Sequence, residues 1–268
     1  MRYAEFSAPP ELEPYVHCLW IFEGQDAGEP QRIVPDGRAE LILHWRTPYL
    51  EQAEAGWTPQ PRALFAGQLT QPLHLLAREP AGVVGVRFRT AGTPAYLQSH
   101  ANPFTDRRWA ITDAPDLRGV EDEAERLRLA AAYVASRLKP QFHDRKIASA
   151  AAEIRASEGR IALDDLAAKV ELSPRMLQRR FLEAVGVPPR MLASIVRFRR
   201  VFAALQEPGV TSWTDAAQAA GYFDHPQMAR DFRRFLGCTP SAFLAAEQGL
   251  ATHLTGGANV QAGHAGRS

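Results

Sequence analysis

Between residues 144 and 247 apolar side chains recur at helical spacing almost throughout, with breaks at Gly159, Ser173, Gly186, Pro208–Gly209, Gly221 and Gly237. The spacing predicts helices over 163–170, 174–185, 190–206, 213–220 and 225–236. Upstream the rhythm changes. Pro and Gly cut roughly the first 90 residues into short β-rich segments, 15–22, 39–45, 72–77 and 82–88, which read as strands of one sheet structure. In 39–45, Leu41 and Leu43 share one face while Ile42 and His44 share the other, so alternation alone does not say which is buried. After Gly92, residues 93–99 read as a short helix. A longer helix is expected over 121–138, where acids crowd the first turn and favour the positive end of the dipole. Leu127, Ala131, Val134 and Leu138 form one stripe along it, expected to pack on its own domain rather than between protomers. Pro140 then ends the helix and marks a boundary near 139–143.

These elements predict an α+β chain. A β-barrel or sandwich-like domain with flanking helices occupies 1–140, and an all-α domain of two helix-turn-helix subdomains joined by a connecting helix occupies 141–247. The tail, 248–268, lacks periodicity and is expected to be flexible. A length of 268 residues is sufficient for two domains with a core each.

The two helical subdomains are related by an internal repeat. A shift of 51 positions lays Arg179 on Arg230, Phe181 on Phe232, Gly186 on Gly237 and Pro189 on Pro240 without a gap. The same shift pairs Ser173 with Asp224, Leu177 with Met228, Val185 with Leu236 and Leu192 with Phe243. Cap, apolar face and glycine stop therefore recur together. Each unit also has an upstream helix rich in alanine, which allows close approach of its partner, and Gly221 suits a turn of positive φ.

On a helical wheel, Leu177, Phe181 and Ala184 gather on one side of 174–185, opposite Arg175, Gln178, Arg179 and Leu182. Ser173 caps this helix and Pro174 fits its first position, so its first turns suit a major-groove reader. Arginine can hold guanine O6 and N7 together, and glutamine can do the same at adenine N6 and N7. In the second unit Met228, Phe232 and Phe235 form the apolar side, with Pro226, Ala229, Arg230 and Arg233 outward. The expected DNA contacts are Arg175, Gln178, Arg179, Arg180, His225, Gln227, Arg230 and Arg233. The first unit is expected to carry more base reading, and the second more phosphate binding, with Arg230 its best base reader. A connecting helix over 190–206 would hold the two readers apart by about 25 Å, close enough for successive major grooves if the duplex bends.

Charge agrees with this division. Residues 1–142 carry 15 Lys and Arg against 18 Asp and Glu, whereas 143–247 carry 15 against 12. Seven arginines (Arg175, Arg179, Arg180, Arg190, Arg197, Arg199, Arg200) face only Glu171 and Glu183 between positions 171 and 200. Arg197, set among Ile195, Val196 and Phe198, reads as a packing residue. Arg199 and Arg200 read equally well as phosphate binders or solvated charge.

The run Asp165–Leu166–Ala167, Ser173, Leu177, Arg179, Phe181, Gly186, Pro189, Arg197, Ala219, Gly221–Tyr222, Asp224, Arg230–Asp231–Phe232–Arg233–Arg234, Gly237, Thr239–Pro240 and Phe243 resembles the AraC/XylS family of bacterial transcription regulators over 161–246. Pro226, Met228 and Val201 depart from the usual Ser, aromatic and Ala, which touches contacts of the second reader rather than the fold. Residues 33–43 and 84–88 resemble an uncharacterised β-rich sensor domain of some members, and this resemblance names no ligand. The family implies a sensing or dimerising front domain, with double-stranded DNA, RNA polymerase, a second copy of the chain and a small-molecule effector as partners.

Other chemistries find little support. His17, Cys18, His44, His74 and His100 lack the close His-x-His spacing of a metal centre and read as structural, so no metal or cofactor is expected. Asp36–Gly37 reads as a turn, and no phosphate loop or nucleophile elbow occurs, so no catalytic residue is expected. Cys18 and Cys238 are too few for a disulfide framework, and no apolar run reaches a membrane span, which places the expected protein in the cytoplasm. The expectation is a sequence-specific DNA-binding regulator, not an enzyme, reading two successive major-groove segments under control of a small molecule at the front domain. Two competing readings are a ligand-independent DNA binder whose front domain only dimerises, and an enzyme with a DNA-targeting helical module.

Overall fold

The computed structural model describes residues 2–24, 28–210, 212–240 and 242–243, and the tail 248–268 lies outside them. Among the described residues ten strands form the front domain: β1 Arg2–Ser7, β2 Val16–Gly24, β3 Gln31–Ile33, β4 Glu40–His44, β5 Leu50–Ala53, β6 Gly56–Pro59, β7 Ala63–Ala66, β8 Leu73–Leu76, β9 Ala81–Phe88 and β10 Arg108–Ala110. They make a six-stranded sheet, β1-β2-β9-β4-β7-β10, and a four-stranded sheet, β3-β8-β5-β6. All pairings are antiparallel. Because β1 and β10 are edges, the domain is an open sandwich rather than a closed barrel. The four expected strands are β2, β4, β8 and β9.

The larger sheet is covered on both faces, which explains the ambiguous alternation of 39–45. Leu41, Leu43, Val84, Val86 and Phe88 pack beneath Ala130, Ala131 and Val134 of α2 (Glu123–Arg137), with Tyr96 of α1 (Thr93–Leu97). Phe22, Trp20 and Val83 face the opposite way, toward Leu75 of the second sheet. Strands buried on both faces read as nearly continuous apolar runs, and all eight residues of β9 are buried. A Cβ at Gly85, in the middle of that strand, would run into the Trp20 indole, so the glycine makes room for the ring. The α2 stripe packs on its own sheet, as expected.

One cation organises the sheet's interior. Arg87, 1% exposed, donates from Nε to Glu40 at 2.8 Å and from Nη1 to Glu5 at 2.8 Å, with Asp36 Oδ2 3.8 Å from Nε. Trp20 Nε1 also donates to Glu40 at 3.0 Å. Burial by itself would raise the Asp36 pKa, but Arg87, Arg38, Arg199 and Arg155 outweigh it and hold the carboxyl low. Burial and then neighbouring Asp36 raise that of Glu40 against the pull of Arg87.

After α2 a short 3₁₀ turn, Pro140–Phe142, leads into the helical half: α3 Arg145–Ala156, α4 Leu163–Lys169, α5 Pro174–Val185, α6 Pro189–Ala204, α7 Trp213–Ala219 and α8 His225–Leu236. One core joins α3, α4 and α5, the other α6, α7 and α8. The front domain contributes to both: Ala91 enters the first and Val34 the second.

Candidate nucleic-acid interface

In the first unit α4 and α5 meet through Leu166, Ala167, Leu177 and Phe181, all at most 1% exposed. The Ser173 side chain accepts from Met176 N, and Gly186, with φ of 89°, ends α5 in a left-handed turn. Arg175, Gln178 and Arg179 are exposed on the opposite side. Arg179 Nη1 donates to Glu183 at 3.0 Å, an exposed i,i+4 pair worth roughly 0.3–0.5 kcal/mol and readily exchanged for another anion. Arg180 turns toward α3, where Asp144 Oδ2 accepts from Nε at 2.8 Å and lies 2.7 Å from Nη2. Asp144 also caps α3, so this pair braces α5 from behind.

The second unit repeats the plan. Met228, Phe232 and Phe235 are fully buried, while Arg230 and Arg233 are exposed. Asp224 accepts from Gln227 N at 2.6 Å, and Gln227 Oε1 accepts from Phe223 N at 3.3 Å. Gln227 thereby helps cap the helix through its side-chain oxygen. The side chain of His225 lies outside the described residues. Phe223, 96% exposed just ahead of α8, joins the end of the unit that carries its first turn. Its aromatic ring in an inter-helix turn was the available signal, and the helical wheel passes over it.

Between the units α6 has 16 residues, about 24 Å of helix. Arg197 packs: its Nη1 donates to the Gly159 carbonyl, and its guanidinium lies 6.0 Å from the Tyr222 ring centroid. Arg200 is taken up by Glu158 and Glu207. Arg199 lies in the field of Asp36, with burial lowering its pKa.

The front domain holds the far ends of both exposed helices. Ala101 N donates to Glu183 O at 2.7 Å and Thr105 Oγ1 to Gly186 O at 2.7 Å, at the end of α5. At the end of α8, Arg234 Nε donates to Thr70 O at 3.4 Å. Arg175, Gln178 and Arg179 of α5 and Arg230 and Arg233 of α8 stay exposed while the far end of each helix is tethered.

The sandwich encloses a cavity of about 80 Å³ with walls from Trp20, Phe22, Ile42 and Leu75 and a polar end at Asp36 and Arg38. His44, 3% exposed, also lines it. Its Nδ1 faces the Arg62 carbonyl at 3.2 Å and so carries the proton, leaving Nε2 a buried acceptor with no partner among the described residues. Burial pushes this imidazole down to about 4. Arg38 N donates to Asp36 Oδ1 at 2.9 Å, so Asp36–Gly37 forms the expected turn. Among the described residues no three His, Cys, Asp or Glu side chains are grouped to hold a metal ion, and no helix is long and apolar enough to cross a membrane.

Residues 166–246 match a helix-turn-helix domain, and residues 4–110 match a domain of unknown function (DUF6597). No curated protein matches the chain. Among solved structures, ToxT from Vibrio cholerae aligns over 86% of this chain and 98% of its own at 12% identity, TM-score 0.48. ToxT with an unsaturated fatty acid bound aligns over 84% and 93% at 9% identity, TM-score 0.45. The DNA-binding domain of the global transcriptional factor AdpA, in complex with a target DNA, aligns over 39% of this chain and 95% of its own at 25% identity, TM-score 0.35.

Proposed function

We propose that the chain is a DNA-binding transcription regulator of the AraC/XylS type, with a helix-turn-helix domain behind a β-rich domain, in which α5 and α8 read two successive major-groove segments. The observation that carries this reading is common to both units: exposed arginines opposite the buried side of the helix, Arg175 and Arg179 on α5 and Arg230 and Arg233 on α8, with each helix tied to the front domain at its far end. Arg175, Gln178 and Arg179 are the base readers of α5, on a face opposite its core. Arg230 is the reader of α8, and Arg233 a phosphate contact. Gln227 and Arg180 serve chiefly to position the helices, since each already has a partner. The exposed N-termini add their dipoles to phosphate attraction.

The cavity within the sandwich is the place for an effector in this reading. At about 80 Å³ it suits only a small, mainly apolar molecule or the end of a larger one, with one hydrogen-bond donor for His44 Nε2. Asp36 and Arg38 line that cavity, while Val34, two residues away, sits in the second helical core. An occupant that moves this loop therefore shifts the support of α8. RNA polymerase and a second copy of the chain are the protein partners that the family adds, the setting is the cytoplasm, and the reading contains no catalytic step.

Phosphate neutralisation releases counterions, so affinity should fall steeply as salt rises. In titrations of fluorescent cognate duplex at several salt concentrations, Arg233→Ala is expected to reduce the slope of log K against log salt by about 1, with little change in discrimination between cognate and scrambled DNA. An unchanged slope would remove Arg233 from the phosphate contacts.

A further inference from the structure

A second cavity, about 130 Å³, lies where the sandwich meets α3. Its basic lining comes from both sides: His17, Arg38 and Arg89 from the front domain, His143 and Arg155 from the start of the helical half. Among the described residues no aspartate or glutamate lines it. Arg155 donates from Nε to Thr90 Oγ1 at 2.9 Å, and from Nη2 to the carbonyls of Asp36 and Gly37 at 3.0 and 2.8 Å. These acceptors are all neutral. Among the described residues no carboxylate oxygen pairs with Arg155 or Arg89, and the nearest for Arg38 is Asp36 Oδ2 at 4.0 Å. The buried His143 Nδ1 also lacks a hydrogen-bond partner there.

Arg155 feels the Asp36 carboxylate at a distance, but its direct acceptors are dipoles, and Arg38 and Arg199 add like charge to the same region. A guanidinium withdrawn from water in such company is costly, and a further counter-anion relieves that cost. The potential is felt by its neighbours: burial and then Arg38 push Arg155 down to about 9, and partial burial with Arg38, Arg87 and Arg89 pushes His17 down to about 4. Arginine forks match the oxygens of carboxylate and phosphate.

We propose that this cleft binds a small anion through a carboxylate or phosphate group, held between Arg38 and Arg89 of the sandwich and Arg155 of α3. The anion touches both halves, so it stabilises their docked arrangement and is coupled to whatever that arrangement controls. The proposal is independent of DNA reading, and it shares Arg38 with the cavity within the sandwich.

The test is thermal unfolding of the full chain at constant ionic strength, with chloride replaced stepwise by acetate or by inorganic phosphate. One of the two anions should give a saturable rise in Tm, about 5 °C at roughly a hundred times its Kd, and its identity tells carboxylate from phosphate. Arg89→Gln, at an exposed side chain whose Nε bonds only the Glu13 carbonyl among the described residues, should lose the rise. The double variant Arg175→Ala/Arg179→Ala should keep it, which separates this site from phosphate held on α5 and from any failure of the DNA reading. No rise with either anion, a full rise in Arg89→Gln, or its loss in the α5 variant would overturn the proposal.

Discussion

The double variant Arg179→Ala/Arg230→Ala is expected to lose about 2–6 kcal/mol of cognate-DNA affinity while its stability changes by only about 0.5 kcal/mol. Each arginine is taken as a reader worth roughly 1–3 kcal/mol at its base pair, and losses at well-separated sites add. Neither contributes much to folding: both are exposed, and the Arg179–Glu183 pair is a solvated one. Affinity for scrambled duplex should fall much less, because phosphate attraction is spread over other cations. Mobility-shift titrations on cognate and scrambled DNA measure the difference, and urea unfolding checks the fold. Equal losses on both duplexes would mean that the two arginines contact only phosphate.

The second large effect concerns folding. Arg87→Met should destabilise the front domain by about 3–5 kcal/mol, because it leaves Glu5, Glu40 and Asp36 facing one another around an emptied, buried position. Adding Glu40→Gln should recover part of the loss by removing one of the orphaned carboxylates. Urea denaturation of the single and double variants measures both. Loss of less than about 1 kcal/mol in Arg87→Met would show that water reaches the site and that the network matters little to the sheet. Because the Asp36 turn also receives Arg155, the single variant should weaken DNA binding without touching a DNA-reading residue.

Much of the helical half was legible because each of its signals is local. Ser173 and Asp224 cap, Gly186 and Gly237 stop, and the Leu177–Phe181 and Met228–Phe232 spacings define the buried sides, so α5 and α8 have the expected bounds. The front domain was harder to read for physical reasons. Strands β5 and β6 are four residues each and largely polar or half-exposed, and β3 and β10 have three residues each. Such strands owe their conformation to partners distant in sequence, which no local periodicity reports. β1 was missed although it has six residues, because its apolar positions only half-bury at a sheet edge.

The same distinction holds at the site. That Arg175, Gln178, Arg179, Arg230 and Arg233 lie on outward faces follows from the 3.6-residue repeat alone. That Arg180 is drawn off to Asp144, 36 positions earlier, does not. Nor does the grip on the ends of α5 and α8, which joins Thr105 to Gly186 and Thr70 to Arg234. These contacts tie sheet to helix across the chain, and only the folded arrangement brings them together.

The two-reader account is tested most directly by selecting bound duplexes from random DNA with the full chain. It predicts two conserved blocks with centres about one helical turn apart, roughly 10–10.5 base pairs, and loss of binding when about 5 base pairs are inserted between them. A single conserved block, or binding indifferent to that insertion, would contradict it.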